Sequence, residues 1–411
     1  MKLPTEAHAS PPLSVHEKVD ISRGLFAALV VVAHAQYVAW GIHPEARDSL
    51  SPLARDLIIS VIGMGIIYVM GFFVVSGYCI HLSVSRLAQK GPFPLGSYLV
   101  ARASRILPLY YLGLLLAVAV EWWIADARPH VWPNGVTLTT LAQQVAVIQN
   151  LTETYGSYAP TWSITNEAFY YIFYGLIVAA CAGRSTARPA WVGLALCLAT
   201  AIVTQALYAT VARTPLVYGL GMLLGLGMIW FWGVLVAVHG ATLIRIPGVK
   251  LLTRTWPILV VGVMAWQYAG LPLQGLYLIS GVAFTLMLLG FLDAPPAPAS
   301  AAKGTRRAWI IETLGLMSYP MYLVHGPLML LVGSCILRWR WIDDWRITFV
   351  VLTVVGLGSG VALGWLVEKP LMARRAAWLK RLDNGSKRAV GSAPVAAPTA
   401  VRPATLGSVA R

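Results

Sequence analysis

The segment LIISVIGMGIIYVMGFFVVSGYCIH, residues 57–81, decides the fold class of this chain. It runs for 25 residues without a lysine, arginine, aspartate or glutamate. A helix needs about 20 predominantly apolar residues to cross the roughly 30 Å of hydrocarbon in a bilayer. Lipid offers the backbone no hydrogen-bond partners, so such a segment crosses as an α-helix. Residues 57–81 therefore predict a transmembrane helix.

The rest of the chain repeats this pattern. Of its 411 residues, 58% are hydrophobic and 11% are charged, against about 45–50% and about 25% in soluble domains. Segment 136–150 carries polar residues and is interpreted as a surface or re-entrant helix, with the choice left open. We therefore expect an all-α polytopic integral membrane protein with about ten transmembrane helices, at residues 22–41, 57–81, 106–125, 163–183, 190–211, 215–238, 256–270, 274–292, 309–337 and 347–367.

The basic residues predict the orientation of these spans. With both termini in the cytoplasm, the cytoplasmic segments hold 24 of the 31 lysines and arginines, as the positive-inside rule requires. The formal charge of +15 is thus distributed over loops. It forms no single basic face of the kind that binds nucleic acid.

Three regions follow from these boundaries. We predict a cytoplasmic N-terminal tail over 1–19, a transmembrane domain over 20–370, and a tail over 371–411 that is basic, then Ala/Pro-rich and disordered. Residues 294–302 (APPAPASAA) predict a flexible loop. The four cysteines lie singly in apolar segments, which predicts free thiols and no metal site.

Ionisable side chains inside a span are costly in lipid and are functional candidates for that reason. His34 lies eleven residues beyond Arg23, which places it about 16 Å deeper along a helix. Arg23 then lies at the cytoplasmic mouth and His34 near mid-membrane. A neutral buried imidazole can accept a proton as a general base. The alternative is a structural histidine bonded to a neighbouring helix.

Two further arginines mark the cytoplasmic end of the third span. Arg102 and Arg105 are three residues apart, so they share one face of a helix. Guanidinium groups suit bidentate binding of phosphate. Arginine also collects at any cytoplasmic helix end, so a phosphate site and a purely topological role both remain open.

The segment PTWSITNEAFYYIFY, residues 160–174, begins an aromatic span near the outer face. Trp162 and Ser163 are candidates for an acceptor pocket, and Glu167 is a candidate hydrogen-bond partner for an acceptor hydroxyl or for His34. The alternative is ordinary anatomy. Tryptophan and tyrosine gather at membrane interfaces, and a serine and a glutamate at a helix start cap it and favour its positive end.

The segment MSYPMYLVHGPLM, residues 317–329, places His325 about midway along the ninth span. Tyr319 and Tyr322 lie on neighbouring positions of the same helix. Two histidines at depth on separate helices are harder to explain as structural than one. We therefore count His325 and Tyr319 as candidate pocket residues.

These segments together resemble the bacterial membrane acyltransferase 3 family, whose members O-acylate polysaccharides, lipid-linked sugars and related acceptors. The resemblance extends from Asp20 to Pro370. One departure is Asn166, which precedes Glu167 where many members carry an apolar residue. The motifs that carry the resemblance are DISRGLFAALVVVAH, GFFVVSGYCI, ARASRILPLYY, PTWSITNE, SYPMYLVH and VEKPL, in this order along the chain.

The resemblance implies a function. Acyl-CoA would be a co-substrate, with no bound cofactor, and its phosphates would dock at Arg23, Arg102 and Arg105. His34 would deprotonate a hydroxyl of a sugar, polysaccharide or lipid-linked glycan that enters near Glu167 from the other membrane face. The acyl group would be acetyl, and the site would lie in the bacterial inner membrane.

A transporter or flippase of lipid-linked sugars is the alternative from another class. It would also need about ten spans, aromatic side chains and buried polar residues. It would perform no chemistry at His34. Release of free thiol from acetyl-CoA distinguishes the two, because a transporter releases none.

Overall fold

The protein is described here by a computed structural model that covers residues 13–124, 136–151, 156–181, 187–210, 214–293 and 305–391. Within these ranges the regular structure is helical and no strand occurs. The α-helices are α1 Val15–Ile42, α2 Pro44–Asp48, α3 Pro52–Val61, α4 Gly65–Ala88, α5 Leu95–Trp123, α6 Leu138–Val145, α7 Trp162–Ala180, α8 Ala187–Thr210, α9 Pro215–Leu220, α10 Gly227–Leu243, α11 Pro247–Leu252, α12 Trp256–Tyr268, α13 Leu273–Phe291, α14 Arg306–Trp339, α15 Trp345–Leu363 and α16 Lys369–Gly391.

The all-α polytopic fold is confirmed. In the described part of the chain, nine helical stretches are long and apolar enough to cross a membrane. The remaining predicted span, 163–183, corresponds to α7, a helix of 19 residues. Its polar Asn166 and Glu167 make it less apolar than the other nine. The membrane side on which the termini lie stays a prediction.

Two predicted helix starts differ from the structure. Helix α1 begins at Val15, because Ser14 and Glu17 form a capping box in which each side chain accepts a hydrogen bond from the other's backbone. Residues 15–19 therefore belong to α1 and not to a tail. The predicted span 57–81 is interrupted between Val61 and Gly65, where Gly63 and Gly65 weaken the helix.

The C-terminal region differs from the prediction as well. Helix α16 covers Lys369–Gly391, where a disordered tail was predicted from residue 371. Alanine, leucine, lysine and arginine are strong helix formers and explain this helix. Residues 392–411 and the predicted loop 294–302 lie outside the described residues. The chain divides into two compact units, 1–370 and 371–411, and the first contains every candidate site residue.

Helix α14 organises the first unit. It is 34 residues long, about 51 Å at 1.5 Å per residue, and it packs against α1, α5 and α15. Most of its central part is buried, including Met321, Tyr322 and His325. Because α1 packs along it, residues at the middle of these two helices meet.

Segment 136–150 packs one polar face against the protein, while Leu138 and Val145 are 85% and 51% exposed. Gln144 and Gln149 are 0% and 1% exposed. The Tyr110 hydroxyl on α5 donates a hydrogen bond of 2.8 Å to the Gln144 backbone carbonyl, and Gln149 Nε2 donates to the Thr161 carbonyl at 3.0 Å. These hydrogen bonds attach the segment to α5 and to the residues that precede α7. The chain then turns through a 3₁₀ helix, Gly156–Thr161, into α7.

Helices α4 and α10 cross at a contact between backbones. A Cβ atom on Gly77 would lie 2.0 Å from the Trp230 carbonyl oxygen, and one on Gly233 would lie 1.8 Å from the Val74 carbonyl oxygen. Only glycine fits at either position. Small residues of this kind allow membrane helices to approach closely and pack by van der Waals contact.

We expect Gly77→Ala to destabilise the protein by about 1–3 kcal/mol, because the added methyl group must push the two helices apart. Gly262→Ala on α12 is the matched control, since a Cβ atom there would meet nothing within 4 Å. The midpoint of thermal aggregation, measured by size-exclusion chromatography of the detergent-solubilised protein, should fall only for Gly77→Ala. Equal midpoints for both variants would contradict the crossing described above.

Candidate functional site

Three arginines from two helices line one cavity inside the bundle, which we call the arginine cavity. They are Arg23 on α1 and Arg102 and Arg105 on α5. The cavity has a volume of about 160 Å³. Its other polar side chains come from α4, α7 and α14: Ser76, Cys79, Ser163, Glu167, Tyr171, Ser318, Tyr319 and Tyr322. The structure therefore brings the three predicted phosphate ligands together with Glu167, Ser163 and Tyr319.

The three arginines differ in their partners. Arg105 forms an ion pair with Glu368, which is 1% exposed, and its guanidinium lies over the Tyr319 ring. Arg23 and Arg102 form no ion pair within the described residues. The Arg102 guanidinium lies over the Tyr98 ring, and its Nη2 donates to Ser83 Oγ at 3.4 Å. The Arg102 Nε is buried and has no hydrogen-bond partner in the described part of the chain. Arg23 and Arg102 are thus the two cations whose charge is available to an anion in the cavity.

Glu167 belongs to the arginine cavity, which corrects its predicted place near the outer face. Its Oε1 accepts a hydrogen bond of 2.7 Å from Ser76 Oγ and a second from the Tyr171 hydroxyl. It is therefore not paired with His34. The reason is that α7 starts inside the protein, after the buried 3₁₀ helix, so its first residues already lie deep in the bundle.

A second cavity of about 230 Å³ holds His34, and we call it the histidine cavity. Tyr37 on the same helix, Trp162, Gln267 and Leu273 line it with His34. Trp162 and Ser163 thus face different cavities although they are adjacent in sequence. Trp162, a predicted residue of the acceptor pocket, therefore lines the same cavity as His34, the predicted base.

His34 and His325 form a hydrogen-bonded pair. The distance from His34 Nδ1 to His325 Nε2 is 2.8 Å, and His325 Nδ1 lies 2.9 Å from the Met321 carbonyl oxygen. A carbonyl only accepts, so His325 Nδ1 carries a proton and the neutral ring accepts at Nε2. His34 Nδ1 must then donate, which leaves the lone pair of His34 on Nε2. His325, which is 0% exposed, thereby selects the tautomer of His34.

Tyr322 separates the two cavities and lines both of them. Its hydroxyl donates to the Pro160 carbonyl at 2.6 Å and lies 2.5 Å from Ser163 Oγ. These contacts fix the ring between the arginines on one side and His34 on the other. A molecule that reaches from one cavity to the other must pass this side chain.

Several site residues were not predicted as such from the sequence. Ser76 and Glu368 lie in the quoted motifs GFFVVSGYCI and VEKPL. Each is a polar residue within a mainly apolar segment, and this pattern could have indicated a site residue. Asn166, noted above as a departure, accepts from Asn150 Nδ2 and donates to the Tyr170 hydroxyl and the Met222 carbonyl, both at 3.2 Å. It connects α7 to a π-helical turn, Gly221–Gly225, and no pattern in the sequence indicates that contact.

These helices and the two polar cavities inside their bundle define a multi-pass membrane protein with its ionisable groups gathered at its centre. The profile of an acyltransferase domain matches residues 16–369, which is nearly the whole chain. The chain therefore belongs to the acyltransferase 3 family and is a membrane acyltransferase. No curated protein and no solved structure matches it.

We expect neutral His34 and His325 both to carry their proton on Nδ1, because the Met321 carbonyl fixes the direction of the hydrogen bonds. Nitrogen NMR of protein labelled with ¹⁵N-histidine measures this directly, with His34→Ala and His325→Ala used to assign the signals. In His325→Ala, the acceptor of the His34 Nδ1–H bond is lost, so the Nδ1–H fraction of His34 should fall. An Nε2–H form of His34 in the unmodified protein would contradict the arrangement.

Proposed function

We propose that this acyltransferase takes its acyl group, an acetyl group, from acyl-CoA and transfers it to a hydroxyl of a sugar, a polysaccharide or a lipid-linked glycan. The single observation that carries the proposal is the placement of two unpaired cations, Arg23 and Arg102, in a cavity that adjoins the His34–His325 pair across Tyr322. Phosphates bind well to guanidinium groups. Acyl-CoA bears phosphates at one end and its thioester at the other. The phosphates would bind the arginines in one cavity while the thioester reaches His34 in the next.

The proposed reaction is direct transfer. His34 Nε2 accepts the proton of the acceptor hydroxyl as its oxygen attacks the thioester carbonyl carbon. The carbon–sulfur bond breaks, and the leaving CoA thiolate takes up the proton that His34 Nε2 accepted, which returns His34 to its neutral form. The products are the acylated acceptor and CoA with a free thiol. His325 is a positioning residue, because it accepts from His34 Nδ1 and stabilises the imidazolium that forms.

The donor and the acceptor would reach His34 from opposite membrane faces. The arginines lie on the side that we predict to be cytoplasmic, where acyl-CoA is present, and the histidine cavity lies toward the other end of α1. Tyr322 would have to move aside for the thioester to meet the hydroxyl. We propose a place in a bacterial inner membrane and a role in O-acetylation of the cell envelope on this basis.

The proposal also accounts for Glu167. Two hydroxyl groups, from Ser76 and Tyr171, donate to this carboxylate, so its orientation is fixed. A fixed negative charge among the arginines repels a misplaced phosphate and favours the thioester end of the donor near α7. The transporter or flippase alternative assigns no such role to any of these groups.

His34→Ala should lower transfer by roughly 10²-fold or more, because it removes the general base. Release of free thiol from acetyl-CoA is the readout, with the protein in proteoliposomes and a sugar acceptor present. The matched control is His43→Ala at the C-terminal cap of the same helix, whose imidazole lies 2.8 Å from Thr348 Oγ1 and lines neither cavity. Turnover of His34→Ala near that of the control would exclude the base role, and no thiol release from any variant would favour a transporter.

Arg102→Ala should weaken CoA binding by about 1–3 kcal/mol, because a charge-assisted hydrogen bond to phosphate is lost. Arg105→Ala should have a smaller effect on the same affinity, since Glu368 already occupies that guanidinium. Isothermal calorimetry with CoA tests both variants. Arg346→Ala, which removes an exposed arginine at the start of α15, is the control. Unchanged affinity in Arg102→Ala would mean that Arg102 only sets topology.

A further inference from the structure

A third cavity lies between α8, α13 and the segment formed by α9, the π-helical turn and α10. We call it the lateral cavity. Its volume is about 410 Å³, within the roughly 300–1,000 Å³ of pockets that hold small molecules. It contains none of the arginines, histidines or carboxylates of the site described above. Nothing in the proposed reaction so far uses it.

The lining of the lateral cavity is polar at one end and apolar at the other. Gln205 and Tyr208 lie within five residues of the end of α8 at Thr210, and Gln274 is the second residue of α13. These helix ends lie toward the outer face in the orientation that we predict. Deeper along the same helices the lining becomes apolar, with Ala201 on α8 and Ile229 on α10. An amphiphile of the outer leaflet has this same order of groups.

The cavity opens sideways to the surface that faces lipid. Leu278 lines it and is 38% exposed, and Ile202, beside Ala201 on α8, is 62% exposed. Large apolar side chains that are exposed on a membrane span contact lipid chains. No charged side chain lines the cavity within the described residues, so its polar end suits an uncharged head group.

Glycines keep the inner wall open. Gly221 and Gly225 in the π-helical turn line the cavity, and a Cβ atom on Gly221 would lie 3.3 Å from Thr204 Oγ1. The same turn is held from the other side, where its Met222 and Leu223 carbonyls accept hydrogen bonds from Asn166 and from Tyr170 on α7. The wall of the lateral cavity is therefore attached to the helix that carries Glu167.

The lateral cavity adjoins the histidine cavity through Leu273, which lines both. His34 lies eight residues before the end of α1 at Ile42, about 12 Å along the helix, and Leu273 begins α13 at the corresponding end of the bundle. A head group held among Gln205, Tyr208 and Gln274 is thus one side chain away from the cavity of His34. The path between the two cavities does not cross the arginine cavity.

We propose that the lateral cavity binds the hydrocarbon chain of the acceptor, and that the acceptor is a membrane lipid with an uncharged sugar head group. This inference rests on the proposed function and names its substrate class. The chain lies against Ala201 and Ile229, the sugar contacts the glutamines and tyrosines, and one hydroxyl passes Leu273 to reach His34. The acceptor enters from the bilayer, whereas the donor enters from water.

Photolabelling tests the binding site without any catalysis. The probe is a glucosyl dialkylglycerol with a diazirine in one alkyl chain, added to the full-length protein in phosphatidylcholine proteoliposomes. The comparison probe is a phosphatidylcholine with the same diazirine chain. We expect the glucosyl probe to label peptides from α8, α10 and α13 about tenfold more than the comparison probe does, a preference of about 1.4 kcal/mol.

Two variants of one helix localise the label. Ala201→Phe fills the apolar end of the lateral cavity and should reduce labelling by the glucosyl probe about tenfold. Ala206→Phe is the matched control, because Ala206 is exposed on the same helix and does not line the cavity. Both variants should keep the size-exclusion profile and the CoA affinity of the unmodified protein. Gln205→Leu together with Gln274→Leu should remove the preference for the sugar head group and retain chain binding.

The outcomes separate this inference from the proposed function. Equal labelling by the two probes, or equal labelling of Ala201→Phe and Ala206→Phe, would overturn the lipid site. So would thiol release with a soluble glycan that Ala201→Phe leaves unchanged, although acyl transfer would then stand. If labelling is specific and acetyl-CoA yields no thiol with the glucosyl lipid, the proposed transfer fails and the cavity is no acceptor site.

Discussion

The structure depends on one constraint: lipid cannot hydrogen-bond to a buried polar group, so protein must. Several ionisable side chains at the centre of this bundle meet that constraint with partners from other side chains, whereas the buried Nε of Arg102 has no partner within the described residues. Glu167 accepts hydrogen bonds from two hydroxyl groups, and Arg105 forms an ion pair with Glu368. His34 and His325 form a hydrogen bond with each other. The helices that supply these partners must then stay in register. The polar site and the packing of the apolar helices therefore specify one another.

The sequence predicted the fold class well, because length and apolarity decide whether a helix can span a bilayer. It predicted helix ends less well, since a capping box at Ser14 and a pair of glycines near Met64 moved them by several residues. It also identified most ionisable residues of the site, because each is costly in lipid, but not Glu368, the partner of Arg105. The sequence could not predict which of these residues lie next to one another in the structure. His325 meets His34 across 291 residues of chain, and such pairs depend on the packing of α1 against α14.

Glu167 shows why depth is harder to predict than identity. Its place along α7 was correct, but α7 starts inside the protein, because the preceding segment packs against the bundle and ends in a buried 3₁₀ helix. The signal was present in Gln144 and Gln149, which a lipid-facing segment would not carry. If these amides are interpreted as contacts with the protein, the residues before α7 are predicted to be buried, and Glu167 is predicted to lie deeper in the bundle, near the arginines. Glutamine side chains in a segment of low hydrophobicity thus indicate that the start of the next helix is buried in protein.

The pairing of Arg105 with Glu368 has a consequence for turnover. With acyl-CoA as the proposed donor, a cavity with three unpaired arginines would hold the product CoA as tightly as the substrate, because both bear the same phosphates, and release of CoA would then limit the rate. Under that proposal Glu368, which pairs with Arg105, would compete with phosphate for one guanidinium and lower the affinity for both molecules equally. An internal carboxylate of this kind would act as a resident counterion of Arg105: the donor would bind less tightly, and the product CoA would dissociate faster.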